Sequence, residues 1–316
     1  MNEYGEGPFW DERSPLPPEN ALFGEYKTSL QIASTNCSMI YLGYSVQDGS
    51  KKALKFIKKI PDTLHRLRNE IETMRTAQHP YILKIENIFP YSSYVCIVTP
   101  FAASGSLHRL VQAQYPNGVP ETLAKIMFRQ MLEAVNYLHG INIWHRDIKL
   151  DNFLVFDNDI NHPIILLSDF GFAKLFQNHE NGTEYIGTPE FAAPEMYLNK
   201  PYDKSIDVWS LGITLYVMLA CKYPVPCYKS APRQCTKRII TGNLNYSLLR
   251  YMDVSSDAID LIQRMCQVDP NERITAEDAL KHPWIVSQQK ETEFEGDVAN
   301  ALWKGEEFYD SDGGAV

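Results

Sequence analysis

Short runs rich in apolar and aromatic residues cover 29–33, 39–44 and 53–57, and a Gln47-Asp48-Gly49-Ser50 turn separates the last two. Runs of this length bounded by turn residues predict short antiparallel strands. A helical period follows. After Pro61, residues Leu64, Leu67, Ile71 and Met74 recur at spacings of three and four, an apolar stripe on a single helix that must cover the sheet. Strand-like runs return at 82–89 and 94–99, and Pro100-Phe101-Ala102-Ala103-Ser104-Gly105 breaks all periodicity, as a hinge does. Beyond it the pattern is helical. Residues 121–140 predict a long helix stopped by Gly140, and 207–220 are apolar on nearly every face, which predicts a buried helix. The runs 153–156 and 164–167 predict a strand pair.

The expected fold class is therefore α+β: a small antiparallel-sheet lobe with one helix, and a larger, mainly α lobe. The expected boundaries are an extended, proline-rich lead-in over 1–23, a domain over 24–287 divided into 24–99, a hinge at 100–104 and 105–287, and a tail over 288–316. A hydrophobic content of 44% is enough to build both cores.

The net charge of -9 gathers at the ends. Residues 288–316 hold eight acids against Lys290 and Lys304, and residues 1–20 hold five against Arg13. Acidic ends make poor partners for nucleic acid or an anionic membrane, and neither is expected. No apolar run has the roughly 18 residues of a membrane span, and Met1-Asn2-Glu3-Tyr4 does not open like a secretory signal. Cytoplasm, or nucleus, is the expected location. Six scattered cysteines with no C-x-x-C pair read as reduced thiols, without a zinc cluster.

Three polar clusters succeed one another in a fixed order: His145-Arg146-Asp147-Ile148-Lys149-Leu150-Asp151-Asn152, then Asp169-Phe170-Gly171, then Gly187-Thr188-Pro189-Glu190-Phe191-Ala192-Ala193-Pro194-Glu195. Singly each has an ordinary explanation: His145 as a core histidine, Lys55 as a solvated lysine at a strand end, Asp207 as a helix cap. Their joint order and spacing resemble the eukaryotic protein kinases over residues 24 to about 287. Lys149, two positions after Asp147, is similar to the serine/threonine form of the loop. Gly187 to Glu195, together with Asp269-Pro270-Asn271-Glu272-Arg273 and His282-Pro283-Trp284, resemble the calcium/calmodulin-dependent and AMP-activated kinase group.

The resemblance implies a two-lobed kinase fold, ATP and magnesium as cofactors, and protein substrates phosphorylated on serine or threonine. It implies that Asp147 takes the hydroxyl proton, that Lys149 neutralises the transferring phosphate, and that Asn152 and Asp169 hold magnesium. Lys55 would grip the α and β phosphates with Glu70 as its ion-pair partner. Independently of the resemblance, Glu70 precedes the core position Ile71 and so lies at the edge of the buried helix face. Ala53 and Leu154 would sandwich adenine, with Thr99 behind it and Pro100, Phe101 and Ala102 as hinge backbone; Ile32, Ala33, Ile40 and Ser168 complete the implied nucleotide set. Glu195 and Arg273 would form a buried ion pair.

Three departures from the pattern matter. Ala33, Thr35 and Ser38 stand where the phosphate loop has glycine, so close backbone approach and positive φ are lost. Either ATP binding is weakened, with a pseudokinase scaffold as the extreme, or the loop's N–H groups still face the phosphates. Secondly, Glu184 occupies the place of the activating phosphothreonine, where its carboxylate could pair with Arg146 without modification; alternatively it is a solvated acid and Thr183 or Tyr185 is the modified residue. Thr188 reads as a structural contact to Asp147 and Lys149. Thirdly, the acidic tail lacks the basic amphipathic helix of a calmodulin target, so no calmodulin-binding segment is expected, and the chain is expected to be a monomer.

Overall fold

The computed structural model describes residues 19–61, 64–156, 159, 162–177, 180–225 and 232–287. The acidic tail over 288–316 and nearly all of the lead-in lie outside the described residues. The chain divides into two compact units, one comprising residues up to Gln78 with Leu83–Ala102, the other His79–Ile82 with the chain from Ala103 onward. The first is the small antiparallel-sheet unit with one helix that the pattern predicts, and the second is mainly α.

In the first unit, strands β1 (Leu22–Phe23), β2 (Tyr26–Ser34), β3 (Ser38–Ser45), β4 (Lys51–Lys58), β5 (Asn87–Pro90) and β6 (Tyr94–Pro100) form one sheet in the order β1-β2-β3-β4-β6-β5, with every pairing antiparallel. Alternation along the strands gives the sheet two apolar faces. Phe23, Tyr41, Phe56 and Cys96 pack on one; Ile57, Val95 and Ile97 on the other meet Leu67 and Ile71 of helix α1 (Leu64–Thr76). Phe56 is the hub of the first face, edge-on to Phe23 at 4.8 Å and to Tyr41 at 5.7 Å. Burying one such ring stabilises the fold by about 1.5–3 kcal/mol.

The expected strand over 82–89 is shorter than its apolar pattern, and β5 begins only at Asn87. The run divides upstream of β5: Ile85 packs with Ile57 and Ile97 in the first unit, whereas Ile82 belongs to the second, where it bridges Leu167, and Leu167 N–H donates to the Tyr81 carbonyl at 2.9 Å.

The second unit contains strands β7 (Gly105–Ser106), β8 (Ile143–Trp144), β9 (Phe153–Val155), β10 (Ile165–Leu167) and β11 (Lys174–Leu175), and helices α2 (Leu107–Gln114), α3 (Glu121–Gly140), α4 (Pro194–Tyr197), α5 (Ser205–Ala220), α6 (Pro232–Ile240), α7 (Ser247–Tyr251), α8 (Ser256–Met265), α9 (Ala276–Leu280) and α10 (Pro283–Val286). Helix α5 is buried at every position from Ile206 to Ala220 and is covered by α3, α7 and α8. Gly212 sets the closest approach, because a Cβ there would lie 2.6 Å from Cys266 Sγ at the end of α8. Helix α3 does not stop at Gly140 by a glycine turn. It runs through Gly140, and Asn142 takes the left-handed conformation at φ 57°, which asparagine tolerates better than most residues.

No helix among the described residues is long and apolar enough to cross a membrane. Cys37, Cys96, Cys221 and Cys266 are free thiols. Cys235 in α6 departs from the all-thiol reading, being disulfide-bonded: the absence of a C-x-x-C pair does not exclude a disulfide.

Glu195 and Arg273 form a buried two-pronged pair, with Nη1 to Oε1 at 2.7 Å and Nη2 to Oε2 at 3.0 Å. Arg273 also donates to the carbonyls of Gln267 and Ser205 and lies over the Trp209 ring. Removing one partner leaves the other charge buried and unmatched. Glu195→Ala is therefore expected to lose about 3–5 kcal/mol, read as a lowered denaturation midpoint in urea; an unchanged midpoint would contradict the pairing.

Candidate active site

The site in the second unit is built on a single buried carboxylate. Asp207, near the start of α5, accepts from the backbone N–H of His145 at 2.9 Å, from that of Arg146 at 2.8 Å, and from His139 Nε2 at 3.0 Å. It is not a helix cap. Burial alone would raise its pKa, but the hydrogen bond from His139 and that from the Arg146 backbone outweigh this and keep it below the ordinary carboxylate range. These bonds hold Arg146 at φ 65°, a left-handed conformation that a side chain rarely adopts. The turn sends the side chains of Arg146 and Asp147 to different partners.

Asp147 is buried and fully engaged. Its Oδ1 accepts from Thr188 Oγ1 at 2.7 Å, and its Oδ2 from Lys149 Nζ at 2.8 Å and Asn152 Nδ2 at 3.1 Å. Lys149 Nζ also donates to Thr188 Oγ1 at 2.7 Å, so Thr188 links the Asp147 carboxylate and the Lys149 ammonium. Burial would raise the Asp147 pKa, but the hydrogen bonds from Lys149 and Thr188 and the Lys149 charge hold it below the ordinary range. The carboxylate is ionised and aimed. His145 supports the loop from within: Nδ1 accepts from Asp147 N–H at 3.3 Å, Nε2 donates to the Ser168 carbonyl at 3.1 Å, and the ring meets Phe170 edge-on at 5.1 Å.

Asn152 donates from Nδ2 to the Asp147 carbonyl at 2.8 Å as well, and no described hydrogen bond ends on its Oδ1. A buried amide oxygen without a donor, and the exposed Asp169 carboxylate that opens the Phe170–Phe172 turn at φ 60°, are hard oxygen groups. Among the described residues no group of three His, Cys, Asp or Glu could hold a metal. The pair suits magnesium, which is commonly bound by one or two protein oxygens and completed by substrate phosphates and water. Ser168 is tied to the same place, donating from N–H and Oγ to the Asn152 carbonyl at 2.8 and 2.9 Å. Leu154 comes next in β9, paired with Ser106 and Leu166.

On its other side Arg146 donates from Nε to the Phe172 carbonyl at 2.8 Å and from Nη1 to Glu184 Oε2 at 2.9 Å, with the guanidinium over the Phe176 ring. The Glu184 side chain remains 65% exposed. Thr183 is exposed and makes no described side-chain bond, while Tyr185 packs edge-on against Tyr197 at 5.5 Å.

In the first unit Lys55 Nζ and Glu70 Oε1 meet at 2.6 Å, with the Glu70 carboxylate buried. Strand register puts Ile40 beside Lys55 and Ala33, and Ala53 beside Thr99, which is buried and precedes Pro100, Phe101 and Ala102. Ile32 faces solvent. Of the two alternatives for the β2–β3 turn, weakened ATP binding or N–H groups free to face phosphate, the hydrogen bonds of Thr35 favour the first. Thr35 Oγ1 accepts from Cys37 N–H at 3.3 Å and Ser38 N–H at 3.0 Å, and Thr35 N–H donates to the Ser38 carbonyl at 2.8 Å. A hydroxyl closes the turn on itself, as threonine does when it competes with other acceptors for backbone donors.

Sequence reasoning did not pick out His139 or Tyr202, which has contacts to Arg146 and Glu184. A histidine within a long amphipathic helix reads as ordinary core. For Asp207 a signal did exist: it is the one acid in an otherwise apolar helix.

Comparison with known proteins agrees with the geometry. The profile of the protein kinase domain matches residues 26–285. The chain is similar to calcium/calmodulin-dependent protein kinase type 1 of Caenorhabditis elegans, 32% identical over 293 residues that cover 91% of this chain and 82% of that one. It is also similar to probable serine/threonine-protein kinase fhkD of Dictyostelium discoideum, 32% identical over 297 residues, covering 88% of this chain but 38% of the relative's length.

Thr188 gives a pH test. The folded state lowers the Asp147 pKa, so the ionised form and its contribution are lost as pH falls through that lowered value. Thr188→Ala removes one of the bonds that lower it, and the acid limb of the pH–rate profile should move to higher pH. A limb that stays in place or moves lower would contradict this role.

Proposed function

This chain belongs to the protein kinase family, as a serine/threonine kinase of the calcium/calmodulin-dependent kinase-like group, and we propose that it transfers phosphate to protein hydroxyls with Asp147 as the base. The observation that carries this reading is the ionised Asp147 carboxylate held by Thr188, Lys149 and Asn152. A substrate hydroxyl hydrogen-bonded to that carboxylate would be oriented for attack and lose its proton to it. Lys149, within the same network, would offset the negative charge on the transferring group. Lys55 would contact the α and β phosphates of ATP, positioned by Glu70, and Asn152 Oδ1 and Asp169 would be the magnesium ligands. Magnesium, when bound, supplies charge neutralisation at the phosphate oxygens. For the adenine base, Ala53, Thr99 and the 100–102 backbone would be the contacts from the first unit, and Leu154 the contact from the second.

The Arg146–Glu184 contact supports activity without a phosphorylated loop, because a carboxylate already occupies the side of Arg146 that a phosphothreonine would meet. Its strength is limited. Glu184 is largely solvated, so screening reduces its effect below that of a buried pair. A second reading, a pseudokinase scaffold with or without bound nucleotide, has one observation in its favour: N–H groups of the β2–β3 turn are engaged by Thr35.

Phosphatase-treated protein given magnesium, ATP and a basic protein acceptor separates these readings. Turnover is expected in the wild type, with a loss of about a hundredfold or more in Asp147→Asn and about three- to tenfold in Glu184→Ala. Equal turnover in the wild type and Asp147→Asn would remove Asp147 as base; silence in all three with ATP binding retained would favour the scaffold. Thr35→Gly frees two N–H groups and restores backbone freedom, so the KM for ATP should fall. An unchanged or raised KM would mean that the turn does not limit nucleotide binding.

A further inference from the structure

Residues 182–184 are held in place by more than the arginine. Gly182 and Tyr202 form an antiparallel bridge, Gly182 N–H donating to the Tyr202 carbonyl at 2.8 Å and Tyr202 N–H to the Gly182 carbonyl at 2.9 Å. The Tyr202 hydroxyl donates to the Glu184 carbonyl at 3.0 Å and accepts from Arg146 Nη1 at 3.4 Å. The same Nη1 reaches the Glu184 carboxylate at 2.9 Å. Tyr202 is buried and its ring faces Trp144 at 6.3 Å. Gly182 lies directly against that ring, and a Cβ at Gly182 would come within 2.1 Å of it.

An exposed carboxylate on an otherwise loose segment has to be ordered before it can pair, and the entropy of that ordering opposes the pairing. Here the ordering is done by groups that carry no charge. Burial raises the Tyr202 pKa, so the phenol keeps its proton and remains a donor.

We propose that Tyr202 is the positioning residue that sets Glu184 on Arg146. Its backbone fixes Gly182, its hydroxyl fixes the Glu184 carbonyl, and the two attachments leave the Glu184 carboxylate one side chain's reach from the guanidinium. The segment then keeps its path with no phosphate present. This inference rests on the reading of Glu184 as a standing charge on Arg146.

The test uses the full-length, phosphatase-treated protein with magnesium, ATP and a basic protein acceptor, as wild type, Tyr202→Phe, Glu184→Ala and the double variant. Turnover, the KM for ATP and amide hydrogen exchange over residues 182–186 are measured together. Tyr202→Phe keeps the ring and both backbone bonds. It is expected to lower kcat about three- to tenfold with the KM for ATP unchanged, and to speed exchange over 182–186. The double variant should fall no further than the weaker single variant, because the two residues act as one. Gly182→Ala, which displaces the ring from its other side, should reproduce both changes. Wild-type kcat and exchange in Tyr202→Phe would overturn the proposal, as would a double variant whose loss is the product of the two singles. If Glu184→Ala alone turns over like the wild type, the reading of Glu184 fails and exchange decides: faster exchange in Tyr202→Phe sustains the clamp, and unchanged exchange overturns it.

Discussion

Asp207 is the interaction on which the rest of the second unit depends. Two consecutive backbone N–H groups, those of His145 and Arg146, end on its carboxylate, and without it both would be buried donors lacking an acceptor. The charge is tolerable at the core because three donors meet it. The attachment also sets directions. Arg146 is held in a left-handed conformation, and the residues after it turn toward Lys149, Thr188 and Asn152 while its own side chain turns toward Phe172 and Glu184. Asp147 and Arg146 thus share one anchor on a helix that is buried along almost its whole length.

The two ends of the chemistry are built in contrasting ways. Around Asp147 every bond points into the site and leaves a charged group ready to act. At the β2–β3 turn the bonds point inward to the turn itself, and Thr35 satisfies donors that a glycine-containing loop would leave open. Preorganised charge accounts for most of what an enzyme gains over solution, so on the proposed reading of Asp147 an imperfect turn would cost less than an imperfect base.

Much of this was legible in the sequence because it is local. Apolar runs bounded by turn residues located the strands, a period of three to four located the long helices, and the Lys55–Glu70 pair that the resemblance implied forms, although Glu70 is buried rather than at the edge of its helix stripe and Ile71 is only half-buried. Long-range features escaped. Asp207 lies about sixty residues from the N–H groups it receives, and the Gly182–Tyr202 bridge joins two segments with no periodicity between them. The run 82–89 misled because its apolar residues serve both units, so burial extends further than the strand. Gly140 misled because a glycine near a helix end need not be the residue that turns; Asn142 does so. The hydroxyl-closed turn at Thr35 escaped as well, since the sequence shows that glycine is absent there but not that the threonine side chain competes for the backbone N–H groups.

The contact between Arg146 and Glu184 is made from groups present as soon as the chain is translated. A phosphothreonine in that place can be written and erased, so its occupancy records recent history; a glutamate has no eraser. On the proposed reading of Glu184, no phosphatase acting at that position could switch the contact off, and silencing would have to come from somewhere else in the chain or the cell.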